Sequence, residues 1–313
     1  MHTADPRPRS RPRCCNNQQM SSLVLPVPEV VMSLYLVPGD LQTDQVAAIA
    51  RDQAPRLLSP PLPDVMNDQL NGPLLTTAVF DADEQPLPLE ILKSFGAEPE
   101  QLDAVARATH FIGIRVLGQP GWPPLADWSA RAVAACVATA LEAPLIDLFD
   151  PRIHAAEAAL RSLPDDSGQV RLSAWVQVLH SADTTGQRMT TSGLGRFGLP
   201  ELQTVDVPPN LARPWGEAMT GLASVLVGAW SERLRERSDE APVELPATVT
   251  LTARHVARAY GAETDLDGTT TVRLELEPGT KSGDSFLNVL PPLDHPTSAG
   301  EFVEGACAAL FGA

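Results

Sequence analysis

Between residues 190 and 202 the chain reads TTSGLGRFGLPEL, with glycines at 193, 195 and 198, a proline at 200, and one residue of each charge, Arg196 and Glu201. The segments on either side read as strands, so this run has to turn the chain within a few residues. Glycine reaches backbone angles that a Cβ resists, and proline fixes φ and removes a donor. The turn therefore has a demanding shape and presents a charged pair at fixed spacing. Arg196 could clamp a carboxylate or phosphate through both arms of its guanidinium. Alternatively, Arg196 and Glu201 bond each other, or nearby backbone amides, and so fix the turn. The candidate ligand-binding residues are Arg196, Glu201 and Ser192 in this run, with Asp147 at the end of an upstream strand.

The glycine spacing G-x-G-x-x-G is that of a dinucleotide fingerprint, which requires a strand before it and a helix opening at the third glycine. Here Pro200 follows, and then a strand-like Glu201–Val205 segment, so the context fails. No cofactor is expected. The run T-x-G-L-x-R-x-G-x-P-E-L resembles the signature of a group of uncharacterised bacterial proteins, over roughly residues 109–208. Where that pattern often carries a histidine, this chain has Ser192, which removes an imidazole from the position. The resemblance implies a location for a site and no activity.

A chain of 313 residues, 43% hydrophobic and 20% charged, is long enough to bury a sizeable core. Its net charge of −16 repels phosphate backbones, so nucleic acid is not an expected partner. No apolar run reaches the ~20 residues that span a bilayer, so no membrane is expected. The first 19 residues place four arginines among prolines without the apolar core of a secretory signal. They read as a disordered tail or a basic arm, or as an over-long start with translation beginning at Met20. Cys14, Cys15, Cys136 and Cys307 form no C-x-x-C pair, which fits a reducing cytoplasm and argues against a zinc site.

Hydrophobic periodicity gives an α+β fold with a mixed sheet, strand–helix–strand units and a hairpin, followed by a small C-terminal α+β subdomain. The expected division is a tail at 1–22, a main domain at 23–238 and the subdomain at 239–313. Strand, helix and strand over Thr109–Phe149 read as a βαβ-like unit with partly parallel pairing. Residues Pro55–Pro73 read as irregular. Val170–His180 alternates cleanly and reads as a strand, and Glu244–Thr252 as another.

A metal hydrolase could be drawn from Asp147, Asp150, His180 and Asp183, but no ligand spacing supports it, and no metal is expected. There is no G-x-S-x-G elbow and no cysteine motif of a nucleophile. Trp122, in a proline–glycine loop, could mark a contact surface or pack under the loop. The expectation is a soluble cytoplasmic protein, not an enzyme, that binds another protein or a small ligand. The alternative is a hydrolase using carboxylates near the 193–201 turn. The two differ in a visible way. A catalytic site gathers polar groups of perturbed ionisation in a pocket, whereas a binding module exposes an apolar patch or an unpaired sheet edge.

Overall fold

A computed structural model describes residues 22–84, 86–165, 170–182, 186–237, 241–279, 285–295 and 298–312. Apart from Ser22, the expected tail lies outside them, as does Asp183. In chain order the first half contains β1 (Ser22–Leu25), β2 (Val31–Pro38), α1 (Thr43–Leu57), α2 (Leu62–Asn71), β3 (Leu75–Asp81), α3 (Leu89–Ser94), α4 (Pro99–Ala106), β4 (His110–Gly118), α5 (Leu125–Ala140), β5 (Leu145–Asp147), β6 (Arg152–His154) and α6 (Ala156–Ser162). The second half contains β7 (Gln177–Ala182), β8 (Gln187–Ser192), β9 (Glu201–Val207), α7 (Ala212–Glu236), β10 (Val243–Pro246), β11 (Thr248–Thr252), α8 (Ala253–Ala259), β12 (Thr269–Glu277), β13 (Phe286–Leu290) and α9 (Ala299–Phe311). The fold is α+β. Among the described residues no helix is long and apolar enough to cross a membrane.

Two sheets organise the molecule. The first has five strands in the order β3-β4-β2-β5-β6, every neighbouring pair antiparallel. The expected βαβ-like unit is therefore split. β4 and β5 run parallel to each other, but β2 lies between them and pairs with both. The second sheet has six strands in the order β11-β12-β13-β9-β8-β7, and its one parallel pair among the described residues is β13 with β9.

That parallel pair corrects the expected boundary at 238/239. β9 precedes the boundary and β13 follows it, so the C-terminal strands extend the sheet of the hairpin rather than forming a subdomain of their own. β10 in turn pairs with β1 at the start of the chain. The change of sheet falls instead between α6 and β7.

α5 sets the packing of the first sheet. Every residue from Asp127 to Ala138 is buried, so the helix of the expected strand–helix–strand unit is enclosed on all sides. Alanines dominate it, and small side chains let neighbours approach closely from every direction. Tyr35, Val37, Ile112, Ile114 and Val116 on one face of the sheet belong to the same core. Among the described residues the opposite face is covered at one end, where Leu36, Phe111 and Ile146 meet Leu92 of α3 and Val105 of α4.

Three further expectations change. Residues 55–73 are largely helical: Pro63 sits in the first turn of α2, where a missing N–H costs little, and Pro55, inside the last turn of α1, gives up one helix hydrogen bond within two residues of the helix end. The alternating stretch from Val170 is not one strand. It forms a 3-10 turn at Leu172–Ala174 before β7, and Trp175 just after that turn is wholly buried. Burying its large ring outweighs the local alternation, and its Nε1 donates to the Ser162 carbonyl at 2.9 Å. The strand expected over Glu244–Thr252 breaks at Ala247, so that β10 can pair with β1 and β11 with β12.

Candidate functional site

The 190–202 run is a turn held from within. Gly193 has φ +117° and Gly198 φ +85°, both left-handed, flanking a single 3-10 turn at Leu194–Phe197. A Cβ on Gly193 would stand 2.2 Å from the Trp175 carbonyl oxygen, a contact no side chain tolerates. From the first residue of β9, Glu201 reaches back over the turn. Its Oε1 accepts from the backbone N–H groups of Gly193 at 3.0 Å and Gly195 at 3.1 Å, and its Oε2 accepts from the Thr191 hydroxyl at 2.7 Å. Thr191 Oγ1 accepts in turn from Leu202 N–H at 2.7 Å. Burial raises the Glu201 carboxyl above its ordinary range, and these hydrogen bonds oppose the rise.

Arg196 does not pair with Glu201. It turns out of the loop into the first sheet, where Nη1 lies 2.9 Å from Asp127 and Nη2 lies 3.0 Å from Asp147. Nη1 also donates to the Tyr35 hydroxyl at 3.1 Å. Arg131, one helical turn after Asp127 on α5, approaches from the other side. It bonds Asp147 at 2.8 Å, Ser162 Oγ at 3.0 Å and the Ala174 carbonyl at 3.2 Å. Tyr35 donates to Asp127 at 2.6 Å. The Trp175 ring lies 3.5 Å from the Arg131 guanidinium carbon, and the Phe149 ring 5.0 Å from that of Arg196.

The network continues at the end of β5. Asp147 Oδ1 accepts from Phe149 and Asp150 N–H, and Asp150 pairs with Arg152 and accepts from Gln177 at 2.7 Å. The Ser192 hydroxyl bonds Asp150. Three guanidinium groups thus meet three aspartates, and the balance leaves no charge in excess. Burial alone would raise the Asp147 carboxyl, but Arg196 and Arg131 overcome it and hold it down at about 2. Burial raises the Asp150 carboxyl and the Tyr35 hydroxyl, and lowers Arg152. It also lowers His154 to about 3, helped by Arg131 and Arg152, so the imidazole is neutral.

Of the residues singled out in the sequence, Arg196, Asp147, Asp150 and Ser192 come together, and Glu201 lies beside them on its own partners. His180 stands apart, exposed on β7, and Asp183 lies outside the described residues. Among the described residues no group of three or more histidines, cysteines or acids could hold a metal ion. Sequence reasoning missed Tyr35, Asp127, Arg131, Arg152 and His154. One signal was present, because Asp127 and Arg131 are an i, i+4 ion-pair spacing inside a helix that is otherwise apolar.

Arg131, Asp147 and Asp150 have no exposed surface, and Arg196 has 1%. Chemically these enclosed members orient and hold one another, while Arg152, His154 and Ser192 at the edge of the network are half-buried. Trp122, read as either a contact marker or packed under its loop, is half-buried and packs edge-on against Trp128 at 5.5 Å. No protein-family model matches the chain, and no curated protein and no solved structure matches it.

Proposed function

We propose that this chain is a cytoplasmic binding protein without catalytic activity, and that its partner is another protein carrying an extended apolar segment. The observation that supports this reading is an open apolar surface at the uncovered end of the first sheet. Met32 stands opposite Leu117 in the β2–β4 register, and Leu117 N–H bonds the Leu74 carbonyl beside it. Cross-strand neighbours point to the same face, so the three side chains form a row on the side away from α5. Met32 is 47% and Leu74 48% exposed, and Val30 just before β2 is 51% exposed.

The row ends at β3, which has β4 on one side and, among the described residues, no strand on the other. From Leu75 to Phe80 this edge carries no charge and no proline, the devices that usually protect an edge. Main-chain pairing to such an edge supplies affinity, and alternate side chains read the adjacent apolar row. A hydrolase built on Asp147 or Glu201 would need water at carboxylates whose oxygens are already committed to protein donors. The kinship with uncharacterised bacterial proteins suggested by residues 190–202 belongs to the same proposal and adds no activity to it.

The test is a Met32→Glu/Leu74→Glu variant compared with the wild type in affinity purification from native cells. The expected result is a protein retained in stoichiometric amount by the wild type and by an Arg258→Ala control, and lost from the double variant. Identical retained proteins for wild type and double variant would remove the reading.

A further inference from the structure

A cleft of about 960 Å³ lies between the α1–α2 corner, the end of α6 and the end of α8. That volume suits a small organic ligand. Four arginines line it, Arg161, Arg171, Arg254 and Arg258, in a chain whose net charge is −16. Three acids, Asp165, Glu263 and Asp265, also line it. Arg254 is committed to Asp267 at 2.8 Å. Arg161, Arg171 and Arg258 make no ion pair and no side-chain hydrogen bond among the described residues. Arg171 is nonetheless held in place. It lies flat on Gly261, whose φ of +69° ends α8, and a Cβ there would approach its Nε to 2.7 Å. The side chain of Arg171 thus packs on the Gly261 backbone at the lining of the cleft.

The remaining lining has a different character. Leu57 at the end of α1, Leu160 of α6, Val170 and Trp122 are half-buried and supply apolar surface, with Leu58, Leu62 and Leu163 buried beneath them. We infer that the cleft binds an amphipathic organic anion, its carboxylate or phosphate head against Arg161, Arg171 and Arg258 and its aliphatic body against the leucines and Trp122. A guanidinium binds either head through paired N–H donors, and the apolar wall selects against a bare inorganic anion. This site shares no residue with the Met32–Leu74 surface, so the two proposals stand or fall separately.

Isothermal titration of the full chain with octanoate, octyl phosphate, octanol and inorganic phosphate tests it. The expected result is saturable one-to-one binding of octanoate or octyl phosphate, with octanol and inorganic phosphate at least tenfold weaker. The two binding arms tell a carboxylate head from a phosphate head. Arg171→Ala/Arg258→Ala should weaken the anion at least tenfold without changing the melting temperature, since both side chains are exposed. Arg258→Glu provides the same loss should the double variant fold poorly. Inorganic phosphate binding as tightly as octyl phosphate would overturn the amphipathic assignment. So would octanol matching the anions, the absence of saturable binding by either anion, or arginine variants that bind unchanged.

Discussion

Taking away the Arg196 guanidinium would leave Asp127 and Asp147 facing each other with fewer donors, in a place where water does not reach them. Breaking a buried pair from one side costs about 3–5 kcal/mol, because the remaining charge stays uncompensated. Arg196→Ala should lose about that much in denaturant titration. A loss below about 1 kcal/mol, the range of an exposed pair, would show that the side chain is not enclosed. Glu201→Gln keeps an oxygen for the Gly193 and Gly195 N–H groups but loses the charge and the acceptor of the Thr191 hydroxyl, and should cost about 1–2 kcal/mol. His154 offers a pH signature. Unfolded, it takes up a proton near its ordinary 6.5, whereas folded it resists protonation down to about 3. Over that window the unfolded chain binds more protons, so the contribution of His154 to stability is present above 6.5 and is lost as pH falls. Its slope is at most about 1.4 kcal/mol per pH unit. Asp150 and Glu201, both raised, act in the opposite sense, so the difference between wild type and His154→Gln isolates the histidine. That difference should grow from pH 4 to pH 6.5 in favour of the wild type, and a flat difference would contradict the buried neutral imidazole.

At the scale of elements, the turn between β8 and β9 is the part most sensitive to a single methyl group. Gly193→Val would force a side chain into the left-handed region and against the Trp175 carbonyl. The strain alone is worth about 1–3 kcal/mol, and the clash adds to it. The expected outcome is a loss larger than that of Gly198→Val, whose Cβ would meet the Pro120 and Pro28 rings rather than backbone. Equal losses would mean that Trp175 can move aside. This turn was legible in the sequence because glycine and proline act locally. The strands and helices were mostly legible too, since their periodicity is local. The ion network was not, because Tyr35, Asp127, Asp147 and Arg196 come from four segments spread over 161 positions, and no local pattern joins them. Residues Val170–His180 show the converse error. Their alternation is real, yet stacking Trp175 beneath Arg131 outweighs it, and a 3-10 turn stands where a strand was expected. Residues 55–73 failed for a third reason, because a proline in a first helical turn, such as Pro63, is compatible with the helix it was taken to exclude.

For the whole molecule, the network decides how the two sheets hold together. Asp127, Arg131 and Asp147 belong to the half that carries the first sheet, and Arg196 to the half that carries the second. β1 crosses in the same direction, joining the start of the chain to β10. If either half unfolded alone, the other would keep buried charges without their partners, a state disfavoured by several kcal/mol. Chains of this length commonly unfold in more than one step. Here the prediction is a single transition, with far-ultraviolet dichroism and tryptophan fluorescence coinciding in denaturant, because neither sheet survives the loss of the other. Arg196→Ala removes the main tie from the second half while leaving each sheet's own hydrogen bonds intact. It should therefore separate the two probes as well as lower the midpoint. A wild type that already unfolds in two steps, or an Arg196→Ala variant whose probes still coincide, would show that apolar packing rather than the ion network couples the sheets.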